Sequence, residues 1–194
     1  MMNDATAVMI RTLREKQNLT QRELAERLQV SDKTISQWET GRGLPDLALL
    51  EPLAQSLRTS VTELLSGNCV HNQNGAANLL RGKFYVCQAC GNVIYATGEG
   101  VFHCCGIPLH PQAAKPENDA HTLHVERVEK EFYVAAKHPM EKTHFLSFFA
   151  VVTTEQVQLL KLYPEQPPEG RLQLCGHGIL YACCNRHGLF YRKI

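Results

Sequence analysis

The feature that most constrains this chain is where its cysteines and histidines lie. Residues 5 to 66 contain neither, while all eight cysteines and all nine histidines fall from Cys69 onward. So sharp a break predicts domains of different character, the later part organised around thiolate and imidazole ligands. At 194 residues the chain has length for one ordinary domain and one or two small ones. Its composition, 44% hydrophobic and 20% charged, is that of a globular protein, and no apolar run approaches the roughly 20 residues that span a bilayer. The opening Met1-Met2-Asn3-Asp4-Ala5-Thr6 lacks a basic region and a long apolar stretch, so no membrane partner and a cytoplasmic location are expected. In a reducing compartment, clustered Cys and His mean metal more often than disulfide.

Before the break the pattern is helical. Val8, Ile10 and Leu13, then Leu24, Ala25 and Leu28, recur at spacings of three to four. Thr20-Gln21-Arg22-Glu23 is a capping box that starts a helix at Thr20, Ser31 caps a second helix from Asp32 to Glu39, and Ser60-Val61-Thr62-Glu63 repeats the box for a last short helix ending at Ser66-Gly67. Five short helices are expected. After the break, period-two runs such as Phe84-Tyr85-Val86, residues 145–152, Leu172-Gln173-Leu174 and Ile179-Leu180-Tyr181-Ala182 predict strands. The Pro-rich stretch 163–170 reads as a loop between two of them, and the polar Asn/Gly-rich stretch 71–78 as a flexible linker.

Two helices joined by Gln29-Val30-Ser31 fit a helix-turn-helix, whose second helix enters the major groove. From Leu19-Thr20-Gln21-Arg22-Glu23-Leu24-Ala25 to Ile35-Ser36-Gln37-Trp38-Glu39-Thr40-Gly41-Arg42, residues 8–66 resemble the XRE and Cro family of phage-type repressors. That resemblance implies double-stranded DNA as partner. It places Asp32, Lys33, Ser36 and Gln37 at base edges, Gln21, Thr40 and Arg42 near phosphates, and Arg14 and Glu39 as an ion pair tying the first helix to the recognition helix. Trp38 reads as core. Residues 1–67 hold 8 Lys and Arg against 9 Asp and Glu. Phosphate neutralisation supplies much of DNA affinity, so a homodimer is expected.

Cys87-Gln88-Ala89-Cys90-Gly91, followed after thirteen residues by Cys104-Cys105-Gly106, presents two thiolate pairs to one metal. Spacing alone favours zinc. The adjacent Cys104-Cys105 pair within the segment Lys83 to Leu109 is similar instead to the desulforedoxin module of desulfoferrodoxins, which implies a rubredoxin-like iron and leaves zinc as the alternative. Further on, His138-Pro139-Met140-Glu141-Lys142-Thr143-His144 and Cys184-Asn185-Arg186-His187-Gly188 supply three imidazoles and a thiolate at turns between strands. Residues 119–192 resemble superoxide reductases. The resemblance implies an immunoglobulin-like β-sandwich with a mononuclear iron held by His138, His144 and His187, by His121 or His124, and by an axial Cys184, with one position open to superoxide. It further implies an electron donor such as rubredoxin or a reductase. Affinity for the metal should fall in mild acid, since the ligands must lose protons. Many relatives carry Glu-Lys before the first His, where this chain has Asp119-Ala120, so Lys137 or Lys142 is expected to supply the missing charge. Cys69, Cys175 and Cys183 fall outside both ligand sets, Cys183 as a small buried residue.

The expectation is a multidomain α + β chain: a five-helix helix-turn-helix domain over 1–67, a linker over 68–80, a four-Cys β knuckle over 81–112 and the sandwich over 113–194. Its function would be superoxide reduction by a DNA-binding iron protein, or iron-based redox sensing by a transcriptional regulator with little turnover.

Overall fold

The computed structural model describes residues 2–70, 72–129, 131–173 and 177–194, and side chains from residue 5 onward. His71 at the start of the expected linker, Leu174 in its strand run, Cys175, and Met1 lie outside the described residues. The chain divides into two compact units, Met1–Val70 and His71–Ile194.

The first unit is five helices, α1 (Met2–Lys16), α2 (Gln21–Leu28), α3 (Asp32–Glu39), α4 (Leu47–Ser56) and α5 (Val61–Ser66). Local chemistry sets their ends. The Glu23 amide donates to Thr20 Oγ1 at 3.2 Å while the Glu23 carboxylate accepts from the Thr20 amide at 2.7 Å, the reciprocal capping box. Ser60 and Glu63 repeat it, and Ser31 caps α3 through the Thr34 amide. Gln29 closes α2 in the left-handed region, at φ 55°. Ile10, Leu13, Leu24, Leu28, Ile35, Trp38, Leu53, Leu57 and Leu64 form the core. Trp38 is interior, as its spacing from Ile35 implies. Val8 is not. It is 64% exposed, and α1 instead buries Ala7, Ile10, Leu13 and the stem of Arg14, one helical stripe that excludes position 8.

Among its described residues the second unit holds twelve strands: β1 (Lys83–Val86), β2 (Val93–Ala96), β3 (Phe102–Cys104), β4 (Ile107–Leu109), β5 (Lys115–Pro116), β6 (Leu123–Val128), β7 (Glu131–Ala136), β8 (Leu146–Val152), β9 (Val157–Lys161), β10 (Glu169–Gln173), β11 (Ile179–Cys184) and β12 (Gly188–Lys193). A five-stranded sheet, β5-β12-β11-β8-β9, packs on a three-stranded sheet, β10-β7-β6. Leu123, Val134 and Leu172 of the smaller sheet meet Phe149, Val151, Leu180, Ala182 and Phe190 of the larger.

β8 is buried along its whole length because its second face is covered too. The β1–β2 hairpin lies there, with Phe84 5.4 Å from Phe148 and 5.2 Å from Tyr181 between ring centroids. The four-Cys segment and the sandwich therefore share packing, and the boundary expected between 112 and 113 does not separate two cores. The stretch read as a linker is likewise structured in part. Asn74 is buried, donates from Nδ2 to the carbonyls of Asn78 and Thr97, and accepts from the Asn78 amide. Amide side chains that look like linker composition here satisfy backbone groups of the hairpin.

One irregularity positions a functional residue. Phe148 lies opposite Cys183 and Leu146 opposite Cys184, so Ser147 is the extra residue of a β-bulge. Ser147 Oγ donates to the Cys183 carbonyl at 3.1 Å, and the slip leaves both Leu146 and Cys184 on the inner face.

Candidate metal centres

The first cluster sits at the tips of the β1–β2 and β3–β4 hairpins. Sγ atoms of Cys87, Cys90, Cys104 and Cys105 lie within 4.8 Å of one another. The Cys90–Cys104 pair is at 3.5 Å and Cys104–Cys105 at 4.0 Å. Four sulfurs held 2.3 Å from one metal in a tetrahedron stand about 3.8 Å apart, whereas a disulfide needs about 2.05 Å. The donor set fits a four-thiolate metal and not a pair of disulfides. Gly91, at φ 70°, turns its amide back to the Cys87 carbonyl at 2.8 Å, closing the Cys-x-x-Cys loop. The Cys90 backbone amide pulls the Cys87 pKa down to about 7, while contact with the Cys90 side chain pushes Cys105 up to about 12. One thiolate forms readily and opposes the next, a conflict that a bound cation resolves.

The second cluster is assembled from three loops. His121 ends the short 3₁₀ turn Asp119–His121 before β6, His138 and His144 lie between β7 and β8, and Cys184 and His187 flank the β11–β12 turn. The four imidazoles form a closed ring: His121–His138 5.1 Å, His138–His144 4.6 Å, His144–His187 4.9 Å and His187–His121 5.0 Å between centroids. Donor atoms of His121, His138, Cys184 and His187 lie within 4.8 Å of one another, and His144 closes the ring diagonally from His121. Hydrogen bonds orient the rings. His121 Nδ1 is 2.9 Å from Asn118 Oδ1 and His138 Nδ1 is 2.6 Å from the Pro139 carbonyl, which turns each Nε2 inward. His187 differs, presenting Nδ1, 3.2 Å from His121 Nε2 and 3.4 Å from Cys184 Sγ. Nε2 of His138 and of His144 is buried without a hydrogen-bond partner.

Such orphaned acceptors are costly unless something binds them. Burial, then the neighbouring rings of His138, His187 and His144, hold the His121 pKa down at about 4, and burial lowers His138 as well. Four imidazoles and a cysteine sulfur converging on one point suit a metal such as iron. The structure brings His121, not His124, to this ring. His124 is exposed on β6.

Three supporting residues went unassigned from sequence. Asn185 accepts from the Phe145 amide at 3.0 Å and donates to the Thr143 carbonyl at 3.1 Å, tying the His144 loop to the Cys184 turn. Phe190 stacks on His121 at 3.9 Å, and Asn118 sets its tautomer. Asn185 had a signal, its place inside Cys-Asn-x-His; Asn118 and Phe190 had none. Lys137 and Lys142 are exposed, and Lys142 pairs with Glu165 at 3.6 Å.

Over 115 residues the chain is 30% identical to a desulfoferrodoxin homolog from Archaeoglobus fulgidus, matching 55% of this chain and 92% of that relative. The chain belongs to the desulfoferrodoxin family. Superoxide reductase from Treponema pallidum shares the desulfoferrodoxin fold of this chain, with 20% identity, a TM-score of 0.53, and coverage of 59% of this chain and 99% of that one. Ahead of the desulfoferrodoxin part, residues 10–64 match the helix-turn-helix family model. There the chain is 43% identical over 58 residues to the HTH-type transcriptional activator BcrR from Enterococcus faecalis, 30% of this chain but only 28% of that relative. No helix among the described residues is long and apolar enough to cross a membrane.

In the helix-turn-helix unit, Arg14 Nε meets Glu39 Oε1 at 2.5 Å and Arg14 Nη1 donates to the Leu19 carbonyl at 2.7 Å. The Glu39 hydrogen bond raises the Arg14 pKa further. Gln21 Nε2 also donates to Glu39, at 2.7 Å, so its amide nitrogen braces α2 against α3. Asp32, Lys33, Gln37, Thr40 and Arg42 are exposed and Ser36 half-buried, along α3 and the turn after it.

Proposed function

We propose that this chain is a DNA-binding non-haem iron protein that reduces superoxide to hydrogen peroxide at the His121, His138, His144, His187 and Cys184 centre. The closed imidazole ring, with two buried Nε2 atoms lacking any partner and the Cys184 thiol beside His187, carries the reading. Iron bound there would supply one-electron redox chemistry and a site for a small anion. The chain's own part is orientation and charge. Asn118, Pro139 and Asn185 fix the ligands, and Phe190 shields one face of His121. Lys137 and Lys142 draw the anion towards the ring, Lys142 only weakly because it is paired with exposed Glu165. Each turnover would consume one superoxide, one electron and two protons, the electron coming from an external donor such as rubredoxin or a reductase; iron held by Cys87, Cys90, Cys104 and Cys105 would supply a one-electron relay. Zinc in that cluster would remove the relay.

The test is anaerobic purification with metal analysis, visible spectroscopy and measurement of peroxide formed per superoxide consumed. Two irons, a thiolate charge-transfer band and a ratio near one are expected. A colourless zinc protein producing no peroxide would refute it.

A second reading is favoured by the helix-turn-helix unit: the same centre senses oxidants and changes the affinity of a dimer for its operator. Gln37 and Lys33 would read base edges, with Arg42 and Thr40 at phosphates. Equal operator affinity in ferrous, ferric and metal-free protein would exclude it.

A further inference from the structure

A cleft of about 340 Å³ opens between the four-Cys hairpins and the Cys184 end of the sandwich. Cys87, Cys90 and Gly91 form one wall, and Ser147, Cys183 and Cys184 the other. Lys161 is the one basic or acidic side chain among its described lining residues. It is the last residue of β9, held opposite Phe148 in the register with β8, so a sheet and not a loop presents it. Its Nζ donates to the Gly91 carbonyl at 3.4 Å, and a Cβ added to Gly91 would stand 3.8 Å from that nitrogen. No carboxylate among the described residues pairs with it.

A cation held over the Cys90-Gly91 turn, without a protein counter-charge, needs one. We propose that Lys161 is a positioning residue for the four-Cys site, its ammonium stabilising the thiolate cluster and biasing it towards the more negative redox state. This rests on the metal-thiolate reading of Cys87, Cys90, Cys104 and Cys105. Four thiolates around a ferric ion carry a net charge of −1, and around a ferrous or zinc ion −2. A neighbouring positive charge favours the latter and so raises the reduction potential; a departing divalent metal leaves thiolates that take up protons, taking the site from −2 to neutral, so the same charge slows that loss. The Gly91 hydrogen bond also anchors the cluster to the sandwich, fixing where that charge stands.

The experiment compares the full-length wild type with Lys161→Met, Lys161→Gln and Lys161→Arg. The four-Cys iron is titrated anaerobically with dithionite and followed by its thiolate absorption, and zinc release to a chelator is followed separately. Met keeps the stem, and Gln keeps a donor for Gly91 without the charge. Both are expected to shift the ferrous-to-ferric ratio about tenfold towards ferric at a given potential, 59 mV for one electron, and to speed zinc release. Lys161→Arg should stay near wild type in both. Wild-type potential and zinc release in folded, metal-replete Met and Gln variants would overturn the role of Lys161 alone. A wild-type protein that binds neither iron nor zinc at the four cysteines would overturn the underlying thiolate reading, and this role with it.

Discussion

The two candidate centres differ in how the chain builds them. The four thiols come from two hairpin tips close in sequence, with Cys87 and Cys104 17 residues apart, and Cys90 and Cys105 are exposed. The imidazole ring draws on segments as distant as His121 and His187, 66 residues apart, and His121 and Cys184 are buried. One site is built from two neighbouring hairpin turns. The other exists only when two sheets are packed and the loops at one end are in register. The hairpin site should therefore tolerate damage to the sandwich ends, while the ring should not.

Phe84→Ala is the substitution that would most blur this contrast, because Phe84 of β1 packs the hairpin against Phe148 and Tyr181 of the sandwich. It should cost about 3–5 kcal/mol and lower the thermal midpoint of both metal centres together. If the ring centre kept its wild-type midpoint, the shared core would not couple the two sites. Cys184→Ser should sharpen the contrast instead. Removing the thiolate should cut superoxide reduction by more than the roughly 100-fold typical of outer-shell changes, and abolish the ring centre's sulfur band, with the four-Cys spectrum intact; loss of both spectra would mean the sites are not separable.

Asn185→Ala acts one step out. It frees the Thr143 and Phe145 backbone from the Cys184 turn, and iron retention at the ring should fall about 10- to 100-fold, measured by chelator competition, with four-Cys metal retention unchanged. The smallest effect lies in the helical unit. The Thr20 amide, and after it the Thr20 hydroxyl, which donates to the carboxylate at 2.7 Å, hold the Glu23 carboxyl below its ordinary pKa, and Thr20→Ala removes the hydroxyl's share alone. A depressed carboxyl pKa contributes stability that is present above the unfolded value of 4.5 and lost as pH falls through the folded one. Thr20→Ala should cost about 1 kcal/mol at neutral pH, and this penalty should shrink below pH 4.5 in thermal melts read by helix dichroism. A penalty constant with pH would remove the charged part of the cap.

The helices were legible because their signals are local. Thr20, Ser31 and Ser60 each cap within three residues, and Gly67 and Gly91 mark positive-φ turns that few other residues adopt. The strand runs and the thiol spacing were legible for the same reason. Misreadings arose where a residue's partner is remote. Asn74 looked like linker and is instead a buried donor to Thr97, and Gln21, expected near phosphate, donates to Glu39. Sequence alone left His121 and His124 as alternatives, since both precede or open β6 at polar positions. The tertiary structure distinguishes them: His121 is buried, stacked on Phe190 of the other sheet and 3.2 Å from His187, whereas His124 is exposed.

By itself, then, the sequence determined which residue types could bind metal, that the thiols come as two closely spaced pairs, and that a helix-turn-helix precedes them, because each depends on interactions within a few residues. The tertiary structure decided the rest: which His completes the ring, which nitrogen each imidazole presents, the bulge at Ser147 that keeps Cys184 inward, and the approach of Lys161 to Gly91. Those features depend on two sheets packing and on hydrogen bonds between loops tens of residues apart, and no local pattern encodes a distance across a core.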